Sequence, residues 1–290
     1  MIDRRSALLA LSLCTLAGIA AAAPAAAGPR WFDRVEPAFA EAQKSNRLVL
    51  VDLYAEWCGW CKTMDEEVFS TPEFETYAAK FVLLRVDVED GGEGAALQRR
   101  FRAESLPTLL LLDGKRAFVG DIQGYLPTAR LIPRIESVLT KYDFAIKSAE
   151  KALAGSDPAL WERKALEMHQ RGDGARAAAL LEKLLATPSG DAKKDAWRRY
   201  LLADARRLDG DWSAAARELA TAEQAARAAG DDPKLAEKLD WLGFALARDA
   251  RDCAKAQGAL ARLEKDHPAS PLVAEAKRDW TSLKSAAQCS

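Results

Sequence analysis

The first half of the chain alternates apolar runs with mixed segments. Residues 48–54 and 81–88 are nearly continuous apolar runs, a pattern typical of strands that are buried on both faces. Residues 108–112 and 117–120 flank Asp113-Gly114, a dipeptide that favours a β-hairpin. A helical segment separates the first two strands, so we predict that they are parallel and that the sheet ends in an antiparallel hairpin.

Helices are predicted between and after these strands. Residues 59–68 contain no proline, and Thr71-Pro72 is typical of a cap and first turn that begin a helix toward residue 80. A closing helix is predicted over residues 128–142, with its regular part beginning only at Pro133, because proline fits poorly inside a helix. The predicted order is strand, helix, strand, helix, hairpin, helix, which is an α/β fold with a mixed central sheet.

The pattern changes near residue 143, where strand signals end and Ala, Leu, Arg and Glu dominate. Gly172-Asp173, Gly210-Asp211 and Arg251-Asp252 each separate two helical runs. Turns at intervals of about 40 residues are typical of helical-hairpin arrays. The run 241–245 followed by His267-Pro268 is similar to a degenerate tetratricopeptide repeat. We therefore predict an all-α, tetratricopeptide-like helical-repeat domain, with an irregular helical bundle as the alternative.

The N-terminus has a third pattern, with Arg4-Arg5, an apolar run over residues 7–23 and small residues up to Gly28. These are the parts of a secretory signal peptide, and an uncleaved membrane anchor is the alternative. We predict a signal peptide over residues 1–27, an α/β domain over 28–142 and a helical domain over 143–290. The mature protein is expected in the periplasm, an oxidising compartment where disulfides persist.

Composition excludes one class of partner. The 290 residues include 42 Lys and Arg against 43 Asp and Glu. No strongly basic block is present, so we predict no nucleic-acid partner.

The Cys58-Gly59-Trp60-Cys61 segment admits three interpretations. A structural zinc site needs four ligands, and the other cysteines and histidines of the mature chain lie in its helical part. A purely structural disulfide across two residues adds little stability, because it closes a very short loop. A redox pair fits best, because Cys58 would begin a helix whose free N–H groups favour a thiolate, with Cys61 within reach. No metal and no cofactor are predicted.

Several segments together resemble a known family. Residues 51–62 resemble the active-site segment of the thioredoxin superfamily, and residues 67–72 and 81–88 resemble the C-terminal domain of the thiol:disulfide interchange protein DsbD. Leu106-Pro107-Thr108 is similar to the cis-proline segment of the superfamily, and Gly124 to its turn after the last strand. The resemblance covers roughly residues 30–142, implies a thioredoxin fold there and leaves the helical part undescribed.

The resemblance implies catalytic roles for three residues. Cys58 is expected to be the nucleophile, Cys61 the resolving thiol and Asp52 a buried proton acceptor for Cys61. A structural strand-end acid is the alternative for Asp52.

The resemblance also implies a substrate-binding surface, whose expected residues are Trp57, Gly59, Trp60, Leu106, Pro107 and Gly124. The two tryptophans could instead be hydrophobic cover for the helix. Trp60 departs from the family, since thioredoxin has proline there and strong oxidants have histidine, and this leaves the redox potential open.

These observations predict an exported thiol–disulfide oxidoreductase that reduces, or relays electrons to, disulfides of periplasmic proteins. Its expected partners are protein thiols and disulfides and a membrane electron donor of DsbD type. The helical domain is expected to bind a protein partner or to dimerise. A disulfide oxidase or isomerase, or a helical-repeat scaffold with a vestigial redox domain, is the alternative.

A second disulfide is predicted between Cys253 and Cys289. Cys253 begins one predicted helix, Cys289 ends the next, and Pro268 and Pro271 lie between them. Two antiparallel helices would bring the cysteines together. The alternative is a buried thiol at one position and a terminal thiol at the other.

Overall fold

The computed structural model describes residues 30–90, 92–230 and 232–285. The predicted signal peptide and Cys289 lie outside the described residues. None of the helices in these ranges is both long enough and apolar enough to cross a membrane.

A five-stranded mixed sheet organises the first part of the described chain, in the order β1-β3-β2-β4-β5. The strands are β1 (Trp31–Phe32), β2 (Val49–Tyr54), β3 (Val82–Asp87), β4 (Thr108–Leu112) and β5 (Phe118–Gln123). β3 runs parallel to β1 and β2, whereas β4 is antiparallel to β2 and β5. The predicted parallel pair and terminal hairpin are confirmed. The sheet with its flanking helices is the thioredoxin fold.

The helices around the sheet differ from the predicted ones in number and in continuity. They are α1 (Val35–Ser45), α2 (Gly59–Met64), α3 (Pro72–Ala78), α4 (Glu93–Phe101) and α5 (Thr128–Ala154). The predicted order omitted α1 and the short strand β1, and it included, without bounds, a helix between the second strand and the hairpin, where α4 lies. The predicted helix over 59–68 is α-helical only to Met64 and continues as a π-helical turn, Asp65–Phe69.

β2 lies at the centre of two apolar layers. Val49, Val51 and Leu53 pack on the side of α1 and α4, whereas Leu50 packs on the side of α3 and α5. Burial on both faces explains why the apolar run of this strand does not alternate with polar residues. Asp52 is the one charged residue within β2.

α5 corrects the expectation that regular helix begins only at Pro133. The helix begins at Thr128 and includes the proline. A proline removes one backbone hydrogen bond, and Leu131 and Ile135 on either side of it are fully buried in the core, which holds the turn in place. α5 also extends past residue 142, so the predicted domain boundary falls inside a continuous helix. The division into domains stays a prediction.

Helices make up the rest of the described chain. They are α6 (Pro158–Gln170), α7 (Gly174–Leu185), α8 (Ala192–Leu208), α9 (Trp212–Ala229), α10 (Pro233–Asp249), α11 (Cys253–Asp266) and α12 (Pro271–Ser285). Each packs against the next. Asp173, Asp211 and Asp252 cap α7, α9 and α11 through their carboxylates. The three predicted turns are thus in place, while the tetratricopeptide-like assignment stays a prediction.

The helical part contacts the sheet at the β4–β5 hairpin. The Phe118 N–H donates a hydrogen bond of 2.6 Å to the carbonyl of Arg171, in the α6–α7 turn. Lys115 forms an ion pair of 2.9 Å with Asp209 at the end of α8. Because β4 is antiparallel to β2, this hairpin lies at the end of the sheet where β2 begins. Cys58 follows the other end of β2, so these contacts leave the redox pair uncovered.

Candidate active site

Cys58 and Cys61 form a disulfide at the start of α2, with an Sγ–Sγ distance of 2.09 Å. Cys58 caps the helix, and its sulfur accepts a hydrogen bond of 3.1 Å from the backbone N–H of Cys61. Both side chains are nearly buried, whereas Gly59 between them is exposed. A Cβ added at Gly59 would meet no atom within 4 Å. The space next to Gly59, the residue that follows the predicted nucleophile, is therefore open.

Asp52 lies on β2, six residues before Cys58, and only 1% of its surface is exposed. Its Oδ2 is 3.5 Å from Nε of Arg85, the residue paired with it on β3. Its Oδ1 is buried and has no hydrogen-bond partner among the described residues. Such a carboxylate pays the full desolvation penalty without full compensation.

The pKa of Asp52 follows from this environment. Burial raises it to about 7, against the lowering effect of Arg85 and with a further raising effect from Asp65. The lowering effect of Arg85 does not offset burial, and both of its terminal nitrogens bind Asp65, with an Nη2–Oδ2 distance of 2.8 Å. At this pKa the carboxyl can accept and release a proton near neutral pH.

Arg85 and Asp65 are site residues that the sequence analysis missed. Arg85 interrupts the apolar run 81–88, and that interruption was the available signal. Its guanidinium also lies 4.2 Å from the ring centroid of Tyr54. To predict that Arg85 lies opposite Asp52, one needs the register between β2 and β3, which apolar runs do not determine.

The Leu106–Pro107 peptide bond is cis, as predicted. Leu53 of β2 pairs with Thr108, which places the cis bond at the same end of the sheet as Cys58. The Gly124 N–H donates a hydrogen bond of 2.8 Å to the Pro107 carbonyl, and Gly124 has a φ of 82°, which favours glycine. The structure thus brings these predicted residues to one end of the sheet, while their role in substrate binding stays a prediction.

Two exposed tryptophans flank the cysteines. Trp57 is 70% exposed and Trp60 is 62% exposed. Trp57 donates a hydrogen bond from Nε1 to Glu89, and Trp60 stacks on Tyr125 with 5.4 Å between ring centroids. Such exposure argues against their being hydrophobic cover for the helix. Tyr125, which the sequence analysis missed, packs against Trp60, and the two stacked rings form an aromatic surface beside the disulfide.

The remaining predicted site residues lie far along the chain. Cys253 is the first residue of α11, and its predicted partner Cys289 is outside the described residues. His169 and His267 contact Asp204 and Asp240, respectively. Within the described ranges, no group of three or more His, Cys, Asp or Glu side chains is arranged to hold a metal ion.

Comparison with known proteins identifies the class of the first part of the chain. Residues 30–114 match the family model described as thioredoxin-like. Together with the strand order and the Cys58–Cys61 disulfide, this match makes these residues a thioredoxin-like domain. It supports the prediction of a thiol–disulfide oxidoreductase.

Particular relatives are similar over the same part of the chain. The thiol:disulfide interchange protein DsbD of Yersinia pestis (strain Pestoides F) is 30% identical over 99 residues, covering 33% of this chain and 17% of that protein. DsbD of Haemophilus influenzae (strain 86-028NP) is 33% identical over 84 residues, covering 29% and 14%. A thioredoxin from Thermus thermophilus aligns in structure with a TM-score of 0.36 and 32% identity, covering 40% of this chain and 91% of that one. The chain spans less than a fifth of the length of these DsbD proteins.

Proposed function

We propose that this protein is a thiol–disulfide oxidoreductase that reduces disulfides of exported proteins. The observation that carries the proposal is the Cys58–Cys61 disulfide at the start of α2, with the underpaired Asp52 on the strand that leads to it. A vestigial redox domain would have no need to keep a carboxylate buried at this cost.

The reaction is a two-step exchange. In the reduced protein, the Cys58 thiolate attacks one sulfur of a substrate disulfide, and the other substrate sulfur leaves as a thiolate. Cys61 then transfers its proton to Asp52 and attacks the Cys58 sulfur. The second substrate thiol is released, and the Cys58–Cys61 disulfide carries the two oxidising equivalents. A dithiol donor returns the pair to the reduced form.

The direction and the compartment rest on the relatives and on the N-terminal pattern. The matched proteins are named as thiol:disulfide interchange proteins, and the matched DsbD segments support a donor of that type at the membrane. The predicted signal peptide supports periplasmic export. In this scheme the protein receives electrons from the membrane donor and passes them to protein substrates.

An insulin-reduction assay with a small dithiol as electron donor tests the activity. The wild-type protein is expected to accelerate reduction, and Cys58→Ser is expected to abolish the acceleration. Cys61→Ser should retain the first step and accumulate a mixed disulfide through Cys58. A wild-type rate no faster than that of Cys58→Ser would contradict the proposal and favour a scaffold with a vestigial redox pair.

The reduction potential of the Cys58–Cys61 pair tests the direction. A value near roughly −270 mV supports a reductant, whereas a value near roughly −120 mV would make the protein an oxidase. Equilibration with glutathione buffers, followed by mass spectrometry of the alkylated protein, measures it.

The exposed aromatic rings support protein substrates over small disulfides. Trp60→Ala is expected to raise the KM for insulin while leaving reduction of a small aromatic disulfide unchanged, because only a polypeptide extends over the ring. Trp212→Ala, which changes another exposed tryptophan in the helical part, is the matched control. Equal effects of both substitutions on the KM for insulin would show that Trp60 is not part of the substrate-binding surface.

A further inference from the structure

Tyr125 contacts the active-site helix and its continuation at two points. Its ring stacks on Trp60 with an interplanar angle of 25°, and its hydroxyl donates a hydrogen bond of 2.5 Å to Oε2 of Glu67. Trp60 is the second residue of α2, and Glu67 lies in the π-helical turn that continues it. The hydroxyl bond therefore holds the ring on which Trp60 stacks.

The loop that carries Tyr125 is attached to the rest of the domain on both sides of this residue. The Gly124 N–H donates to the Pro107 carbonyl, in the cis-proline segment. Thr128, at the start of α5, is buried, and its hydroxyl donates to the Glu67 carbonyl at 3.5 Å. Neither contact uses the side chain of Tyr125. That side chain is therefore not needed to hold the loop, and its own two contacts act on Trp60.

Trp60 has one covered face and one open face. Tyr125 lies against one side of the ring, yet 62% of Trp60 is exposed. An apolar group that covers an exposed aromatic face gains free energy, because it removes that face from water. The open face of Trp60 therefore favours an aromatic or large apolar side chain.

Gly59, which lies between Cys58 and Trp60, has no evident role in the fold. Its φ is not positive, so its backbone does not require glycine. An added Cβ would meet no atom within 4 Å, and glycine weakens a helix relative to alanine. The lack of a side chain at this position means that a polypeptide chain reaching Cys58 meets no obstacle there on its way past Trp60.

We infer that the open face of Trp60 is a subsite for an aromatic or large apolar side chain beside the substrate cysteine that Cys58 attacks. Tyr125 is a positioning residue that orients Trp60, and Glu67 holds Tyr125 in place. The inference rests on the proposed reduction of protein disulfides. It narrows the substrates to polypeptides that have such a side chain next to their disulfide.

Two disulfide peptides test the subsite. Each is a self-quenched fluorescent dimer joined through its single cysteine, which has phenylalanine on both sides in one peptide and alanine in the other. With a small dithiol as electron donor, the mature protein is expected to have a kcat/KM about twofold to tenfold higher for the phenylalanine peptide, the range that an aromatic pair contributes, through a lower KM. This preference is a ratio within one enzyme, so a general loss of activity or folding in a variant does not change it.

Substitutions assign the preference to the stacked rings. Tyr125→Ala should lose most of it, whereas Tyr125→Phe and Glu67→Ala remove only the hydrogen bond and should retain an intermediate preference. Trp60→Ala should lose it, and adding Tyr125→Ala to that variant should change the ratio no further, because Tyr125 acts through Trp60. Phe144→Ala, which removes another exposed aromatic ring, in α5, is the control and should keep the wild-type ratio.

The outcomes separate this inference from the proposed function. Equal kcat/KM values for the two peptides, with both reduced faster than by Cys58→Ser, would overturn the subsite and leave the proposed function in place. A preference that survives Tyr125→Ala, or that Phe144→Ala lowers equally, would overturn the role of Tyr125. If neither peptide is reduced faster than by Cys58→Ser, the proposed function fails and the subsite fails with it.

Discussion

Each part of the molecule buries an aspartate, and the two aspartates have opposite surroundings. Asp204 in α8 is 5% exposed, and both of its oxygens are bound, one by His169 at 2.8 Å and the other by Arg207 at 2.7 Å. Asp52 in β2 is 1% exposed, with one oxygen 3.5 Å from Arg85 and the other unbonded. Burial raises the pKa of both groups. At Asp204 the contacts with Arg207 and His169 outweigh burial and hold the pKa below the usual range, whereas the pKa of Asp52 rises to about 7.

The difference distinguishes a carboxylate that stabilises the fold from one that can take part in acid–base chemistry. A buried acid with every oxygen bound stays ionised and connects the helices around it. A buried acid left short of partners costs stability and gains a proton affinity near neutrality, which acid–base chemistry requires.

The largest effect is expected at Asp204. Asp204→Ala should lower the free energy of unfolding of the helical part by about 3–5 kcal/mol at pH 7, because it leaves the buried Arg207 and His169 without their shared partner. Chemical denaturation followed by far-UV circular dichroism measures this. Glu218→Gln, at a half-buried position of α9, is the control and should change little. A loss for Asp204→Ala no larger than that of the control would show that the pair is not structural.

At Asp52 a substitution is expected to raise the free energy of unfolding instead of lowering it. Because its pKa is about 7 in the folded protein against an ordinary value of 3.8, its contribution is fully present below about pH 4 and is lost as pH rises toward 7. Asp52→Asn should therefore be more stable than the wild type above pH 7, by roughly 2–4 kcal/mol. Denaturation of the oxidised proteins from pH 4 to pH 8 checks this, with Asp121→Asn as control. A constant difference between wild type and Asp52→Asn across that range would rule out the raised pKa.

The two predicted cysteine pairs also differ between the two parts of the molecule, in the length of the loop that each closes. Cys58–Cys61 closes a loop with a sequence separation of 3, whereas Cys253–Cys289 would close a long one and stabilise the helical part by about 2–4 kcal/mol. Cys289→Ser should thus lower the denaturation midpoint under non-reducing conditions, and Cys61→Ser should not. Peptide mapping of the non-reduced, alkylated protein checks the pairing. Alkylation of Cys289 without prior reduction would exclude it.

Asp52 should also affect one of the two exchange steps selectively. Asp52→Asn is expected to slow the attack of Cys61 by about tenfold to 100-fold near pH 7, because the proton of Cys61 loses its acceptor, while the first attack by Cys58 changes little. Stopped-flow exchange with a fluorescent disulfide peptide separates the steps. If both steps keep wild-type rates, Asp52 is a structural acid, as Asp204 is, and takes no part in the exchange reaction.

The smallest effect is expected at Asp65. Asp65→Asn frees Arg85 to pair with Asp52 and removes a negative charge beside it, so both changes lower the pKa of Asp52. The pH dependence of the Cys61 step should shift toward lower pH by about one unit. Glu66→Gln, an exposed neighbour, is the control. A shift toward higher pH, or the same shift in both variants, would show that Asp65 does not act through Arg85.

Much of the site could be predicted from short segments. Cys58 and Cys61 were placed because an apolar strand leading into a helix is a local pattern that neighbouring residues determine. The cis bond at Pro107 was expected because cis peptides occur almost only before proline. Asp52 stood out because a charge inside an apolar run needs an explanation.

Other elements were missed for identifiable reasons. α1 buries Val35, Ala38, Phe39 and Ala42, a helical spacing that was present in the sequence but not used. α4 was predicted only as a helix between the second strand and the hairpin, without bounds, because glycine lies in its first turn and few apolar residues follow. The π-helical turn at Asp65–Phe69 and the uninterrupted passage of α5 through Pro133 depend on packing against the sheet, which overrides local preference.

The sequence by itself determined the strand-to-helix redox segment, the cis-proline position, the hairpin and the Gly-Asp or Arg-Asp turns of the helical part. All of these depend on residues within about one turn or one strand of each other. Only the tertiary structure decided that Arg85 faces Asp52 but is held by Asp65. Tertiary contacts alone also paired Lys115 of the hairpin with Asp209 at the end of α8. These outcomes depend on strand register and on contacts between distant segments, where partners compete for the same carboxylates, and no local pattern encodes that competition.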